Sequence, residues 1–111
     1  MDPRIRHIVK LLSEDLGRDL DMEALANSVN LSTSRLRHLF KDEIGLTPAQ
    51  YLKRLRLERA RELLEGSFLR LKEVMPQVGI TDKSHFVRDF KKTHGLPPIK
   101  YRHRSWKVAD S

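Results

Sequence analysis

Shifted by 50 residues, the second half of this chain repeats the first. Ser34, Phe40, Lys41, Gly45, Leu46, Pro48 and Tyr51 recur as Ser84, Phe90, Lys91, Gly95, Leu96, Pro98 and Tyr101, seven identities in 18 positions. Upstream the offset is 49, with Val29-Asn30-Leu31 answering Val78-Gly79-Ile80, so the second copy carries one extra residue between its turn and the following helix. The shared Gly-Leu-x-Pro-x-x-Tyr is not general helix grammar, so the repeat restricts the fold to two like units.

Hydrophobic periodicity makes those units helical. Ile5, Ile8, Val9, Leu12 and Leu16 recur at i, i+3 and i+4, which predicts an amphipathic helix ending near Gly17. Asp21 is the expected cap of a short helix from Met22 to Ser28 with Leu25, Ala26 and Val29 inward. Ser32 or Thr33 caps the next helix, which carries Leu36, Leu39 and Phe40 and stops at Gly45. Thr47-Pro48 opens a long helix to about Glu65, with Tyr51, Leu52, Leu55, Ala60, Leu63 and Leu64 as its buried side and Gly66 after it. Leu71, Val74 and Val78 predict a short helix. Thr81 or Asp82 caps a further one carrying Phe86 and Phe90 to Gly95, and Pro97-Pro98 opens a last short helix with Ile99 and Tyr101. Nothing reads as a strand. The expected fold is all-α, about seven helices in one domain over 1–111: a first unit near 5–45, a linker helix near 48–65, a second unit near 70–103 and a tail over 104–111, where Trp106 covers the last helix.

Each unit meets the needs of a helix-turn-helix. These are a small residue where the helices touch, a residue tolerant of left-handed backbone in the turn, and an apolar anchor on the second helix. The first supplies Ala26, Asn30 and Leu36; the second supplies Met75, Gly79 and Phe86, with its anchor one residue later and Met in place of the small residue. Burying Leu36, Leu39 and Phe40 turns Ser34, Arg37, His38 and Lys41 outward on a 3.6-residue helix. Burying Phe86 and Phe90 likewise exposes Lys83, Ser84, Val87, Arg88 and Lys91.

These residue types suit a major groove. Arg forks onto guanine, Ser donates or accepts, and Val meets the thymine methyl. Arg37 and Arg88 are the strongest base-reading candidates. Lys41, Lys91 and Lys92, toward helix C-termini, suit phosphates, which fix register without reading sequence. The linker of about 18 residues would span ~27 Å, against ~34 Å between adjacent major-groove segments on one DNA face. A stiff rod of that length would set two reading helices one turn of duplex apart. Within it, Arg56 and Arg59 either pair with Glu62 and Glu58 or tie the two halves together, or else contact DNA.

Charge agrees. Lys and Arg number 22 against 15 Asp and Glu, a formal +7, which favours a polyanionic partner. The distribution is uneven. Residues 83–107 are strongly basic, 53–61 reads KRLRLERAR, and residues 14–23 hold Glu14, Asp15, Asp19, Asp21 and Glu23 against Arg18.

Other classes lack their signatures. With no cysteine there is neither a disulfide framework nor a Cys-based zinc site. The five histidines, His7, His38, His85, His94 and His103, form no His-Glu-x-x-His pattern. A phosphate loop and a nucleophile elbow are both missing, so neither an enzyme nor a cofactor or metal is expected. His85 and Asp89, at i and i+4, read as a surface pair. There is no secretory leader or membrane-length apolar run, which fits the cytoplasm. The competing reading is a sequence-independent architectural module, but no minor-groove wedge is evident.

The stretches LSTSRLRHLFKDEIGLTPAQYLKRLRLERARELL and VGITDKSHFVRDFKKTHGLPPIKYR resemble the DNA-binding domain of the AraC/XylS family of bacterial transcription regulators over roughly residues 5–103. The resemblance implies seven helices, the third and sixth entering successive major-groove segments and the fourth joining them. It places base reading on Ser34, Arg37, His38, Lys83, Ser84, Val87 and Arg88. Thr33, Arg35, Lys41, Lys91 and Lys92 are expected on phosphates. It also implies double-stranded DNA as partner, with RNA polymerase or a ligand-sensing domain outside this chain. The family's two-domain layout suggests a fragment, expected to bind as a monomer. Three positions depart from the pattern: Arg70 where a Ser or Thr cap is usual, Pro76 inside a helix, and Ile80 for an aromatic. Pro76 implies a helix that is either only about a turn long before it or kinked, and the three departures together imply a looser second unit contributing less to specificity.

Overall fold

The computed structural model describes residues 1–109, and of Ala109 the backbone alone. Among these residues there are seven helices and no strand: α1 (Pro3–Glu14), α2 (Met22–Ser28), α3 (Thr33–Ile44), α4 (Pro48–Gly66), α5 (Leu71–Gln77), α6 (Lys83–His94) and α7 (Pro98–Ala109). They form two compact units, Met1–Leu55 and Arg56–Ser111.

In the first unit, Asp2 opens α1. Its carboxylate accepts the Arg4 backbone N–H at 2.8 Å, and Pro3 fills the first helical position, where a missing N–H costs nothing. The Arg4 guanidinium clasps the same carboxyl and, with that backbone bond, holds it down at about 2. α1 stops short of Gly17, because Asp15–Arg18 turn instead, closed by Arg18 N–H to Asp15 C=O at 3.3 Å. Asp21 caps α2 through Ala24 N–H (3.1 Å), and Ser32 caps α3 through Arg35 N–H (3.1 Å). Ile5, Ile8 and Leu12 of α1, Ala26 of α2, and Leu36 and Phe40 of α3 make the core. Tyr51 and Leu55 of α4 pack on it, with Phe40 and Tyr51 edge to face at 5.7 Å.

The turn between α2 and α3 is tight. Val29 and Leu31 N–H both donate to Ala26 C=O (3.2 and 3.0 Å), and Asn30 takes φ 57°. Only a short polar side chain or glycine takes that conformation at small cost. Thr47 and Gln50 then cap the start of α4 reciprocally, Gln50 N–H to the hydroxyl and Thr47 N–H to the amide oxygen.

In the second unit, Leu57, Ala60 and Leu64 of α4 pack with Val74, Met75 and Val78 of the α5 segment and Phe86 and Phe90 of α6. Leu57, 5% exposed, was not expected inside. A single apolar stripe does not describe α4, which serves two cores. The turn repeats the first unit's bonds: Val78 and Ile80 N–H donate to Met75 C=O (3.2 and 2.9 Å), and Gly79 takes φ 74°. One further residue precedes the cap of α6, Asp82, which accepts His85 N–H at 2.9 Å. Arg70 has no acceptor with which to cap α5. Instead the Glu73 carboxylate accepts the Arg70 backbone N–H and guanidinium, which lowers its own pKa. Pro76 is the penultimate residue of α5 and exposed. There it removes one helix donor, and the turn after it keeps the bonds of its counterpart.

α7 is longer than the short helix expected. It runs through 104–109, assigned above to a tail, and residues 110 and 111 lie outside the described residues. Packing explains the extension. Trp106 Nε1–H donates to Glu65 C=O at 2.9 Å, and Arg102, 6% exposed, reaches back to the end of α4. Along α4 the pairs are Arg59–Glu62, Arg61–Glu58 and Arg61–Glu65. Glu58 is therefore taken by Arg61, and Arg59 pairs with Glu62.

Gly45 and Gly95 end α3 and α6 in matching left-handed conformations, φ 86° and 89°, and a β-carbon at either would meet nothing within 4 Å. The requirement is conformational, not steric. Gly95→Ala is expected to cost about 1 kcal/mol. Gly66→Ala, in a helix end with no positive φ and equal room, should gain up to about 1 kcal/mol. Urea unfolding of the two variants checks the opposite signs.

Candidate nucleic-acid interface

The buried sides of α3 and α6 decide what these helices present. Leu36 and Phe40 are fully buried, and Ser34, Arg35, Arg37, His38 and Lys41 are exposed. At i, i+3, i+4 and i+7, Ser34, Arg37, His38 and Lys41 share one face. In α6, Phe86 and Phe90 are buried, and Lys83, Ser84, Arg88, Lys91 and Lys92 are exposed. Val87, expected to be fully outward, is half-buried. It lies one position from Phe86 and three from Phe90, at the margin of the buried stripe. Thr33 is half-buried for the same reason, three residues before Leu36.

The repeat carries into exposure: over 41–50 and 91–100 the sequence of exposed, half-buried and buried positions is identical. Arg37 and Arg88 fall at neighbouring steps of the same face in their respective units. The anchoring rings are held alike, Phe40 against Tyr51 at 5.7 Å and Phe90 against Tyr101 at 5.4 Å, each edge to face.

The cations on these faces are not consumed by the protein. The pairs Arg4–Asp2, Lys10–Glu14, Arg59–Glu62, Arg61 with Glu58 and Glu65, Arg70–Glu73 and His85–Asp82 include none of Arg35, Arg37, Lys41, Lys83, Arg88, Lys91 or Lys92. Their heads stay in water, available to phosphate or base edges. Lys41, Lys91 and Lys92 stand in last turns, where a cation also offsets the negative helix end. His85 pairs with its own cap, Asp82, at 3.4 Å on the open surface. No group of three or more metal-ligating side chains occurs among the described residues, and no helix there is long and apolar enough to cross a membrane.

Residues 25–104 match the family model described as a helix-turn-helix domain, which takes in both turns and both exposed cationic faces. The structure of a transcriptional regulator from Chromobacterium violaceum, described as having an AraC-type DNA-binding domain, superposes with a TM-score of 0.85. It covers 93% of this chain and 92% of that one at 26% identity. The chain belongs to the AraC/XylS family, as one of its helix-turn-helix domains.

This AraC-type domain is also similar to the HTH-type transcriptional regulator GbdR of Pseudomonas aeruginosa, 33% identical over 96 residues. The match takes 86% of this chain but 26% of GbdR. The domain thus spans about a quarter of that relative's length. The DNA-binding domain of AdpA, solved in complex with a target DNA, superposes with a TM-score of 0.83 at 27% identity, covering 91% of each chain.

Proposed function

We propose that this AraC-type domain binds double-stranded DNA sequence-specifically and acts in transcription regulation, with α3 and α6 each laid in a major groove. What carries the reading is one face built twice: Ser34, Arg37 and His38 on α3 and Ser84 and Arg88 on α6, exposed opposite a buried aromatic anchor. Arg37 and Arg88 read bases by forked hydrogen bonds. Ser34, His38, Lys83 and Ser84 add contacts, and the half-buried Val87 offers a methyl edge to thymine. Thr33, Arg35, Lys41, Lys91 and Lys92 hold phosphates. The two helices take adjacent groove segments, so one chain binds a long site as a monomer. RNA polymerase or a ligand-sensing domain outside this chain is the further partner of the DNA-bound domain, in the cytoplasm.

The test is selection of bound duplexes from a random pool, followed by competition. Two blocks of preference centred about 10 bp apart are expected, and the selected site should beat random duplex by ~10³ or more at physiological salt. A ratio near one would establish the sequence-independent module instead.

A further inference from the structure

The acidic segment 14–23 has no use on a face that meets a polyanion. In the first unit it borders a cleft of about 190 Å³ formed by the end of α1, the turn after it, α2 and α4. Its floor is aliphatic: Leu12 and Leu52 are buried, and Leu20 and Leu25 are half-buried and open to it. Its rim is anionic: four carboxylates line it against the single guanidinium of Arg18. Of these, Asp21 is engaged in capping α2 and Glu14 stands 4.0 Å from Lys10, while Asp15 and Asp19 are exposed.

Two properties narrow the occupant. Sites for drug-sized ligands run to about 300–1,000 Å³, so this cleft suits one or two aliphatic side chains rather than a whole effector molecule. The rim repels nucleic acid and attracts cations, the reverse of the +7 chain as a whole. Apolar anchors entering a groove from a helix, with cations beside them, fit both properties. We propose that this cleft docks a basic amphipathic helix of a partner protein, with Leu- or Ile-type anchors on the leucine floor and Lys or Arg against Asp15 and Asp19. The site is separate from the DNA-reading faces and does not depend on them.

The probe is a fluorescein-labelled helical peptide of Leu and Lys with Leu at i, i+3, i+4 and i+7, and its Leu/Glu counterpart serves as control. The Leu/Lys peptide is expected to shift amide resonances of residues 11–25 and Leu52 in the intact chain. Asp15→Lys/Asp19→Lys should weaken it tenfold or more, and Asp19→Asn by a smaller factor, without weakening DNA binding. Shifts centred elsewhere, equal binding of the Leu/Glu peptide, or unchanged affinity in both variants would each overturn the proposal.

Discussion

A chain carrying both Arg37→Ala and Arg88→Ala should fold normally and lose most of its ability to tell its site from random duplex. Both side chains are exposed and take part in none of the ion pairs found among the described residues, so their removal leaves both cores intact. A forked arginine–guanine contact discriminates by about 1–3 kcal/mol. Two such losses multiply to a drop in specificity of about 30-fold to more than 10⁴-fold. Lys41→Ala should behave differently, weakening all duplexes about equally and reducing the salt slope by about one. Competition titrations at two salt concentrations separate the patterns. If the double variant lost affinity uniformly, the two arginines would be phosphate contacts and base reading would lie elsewhere on α3 and α6. The single variants test the expectation that the second unit contributes less. Of the three departures behind that expectation, Pro76 removes only one helix donor near the end of α5, Glu73 closes the helix start at Arg70, and the turn at Ile80 keeps the first unit's bonds. Losses of similar size for Arg37→Ala and Arg88→Ala are therefore expected.

The largest stability effect should come from Arg102→Ala. Its guanidinium is buried against the end of α4, where Nε donates to Leu64 C=O at 2.9 Å and Nη2 to Ser67 C=O at 3.2 Å and Leu63 C=O at 3.5 Å. The carbonyls at a helix C-terminus have no partners in their own helix, and a fixed cation both satisfies them and offsets the helix dipole. The planar group also lies over Trp106, 5.0 Å from the ring centre. Burial costs this cation, lowering the arginine's pKa. Truncation strands the carbonyls and loses the stacking, so about 2–4 kcal/mol should go, a fall of about 10–20 °C in Tm. Arg102→Lys should recover only part, because an ammonium cannot fork across several carbonyls. Arg104→Ala, on an exposed neighbour, should stay within about 0.5 kcal/mol. Thermal unfolding followed by the fluorescence of Trp106, the chain's one tryptophan, reads all three. An Arg102→Ala chain as stable as the parent would mean that desolvation cancels what the bonds contribute.

The interface was legible in sequence wherever it follows from local pattern. The cap Asp21, the cap choices Ser32 or Thr33 and Thr81 or Asp82, which the structure resolves to Ser32 and Asp82, the left-handed turn residues Asn30 and Gly79, the terminal glycines and the anchors Leu36, Phe40, Phe86 and Phe90 all act within a few residues of themselves. Periodicity then assigns the outward face of α3 and α6 almost completely. It fails at Val87, whose burial depends on what stands beside the stripe.

Other features had no local signal. Leu57 is buried because α4 packs into two cores in turn, and a hydrophobic pattern read as one stripe cannot show that. Residues 104–109 are helical because Arg102 and Trp106 find acceptors near the end of α4, some 35–41 positions away in the chain. The run 14–23 was readable as acidic, but Leu12, Leu20, Leu25 and Leu52, spread over 40 positions, became a cleft floor beside it only when α1, α2 and α4 came together. Short-range chemistry, in caps, turns and helical period, is written directly in the order of residues. Contacts between distant segments depend on which surfaces the folded chain brings within reach, and that is decided by packing.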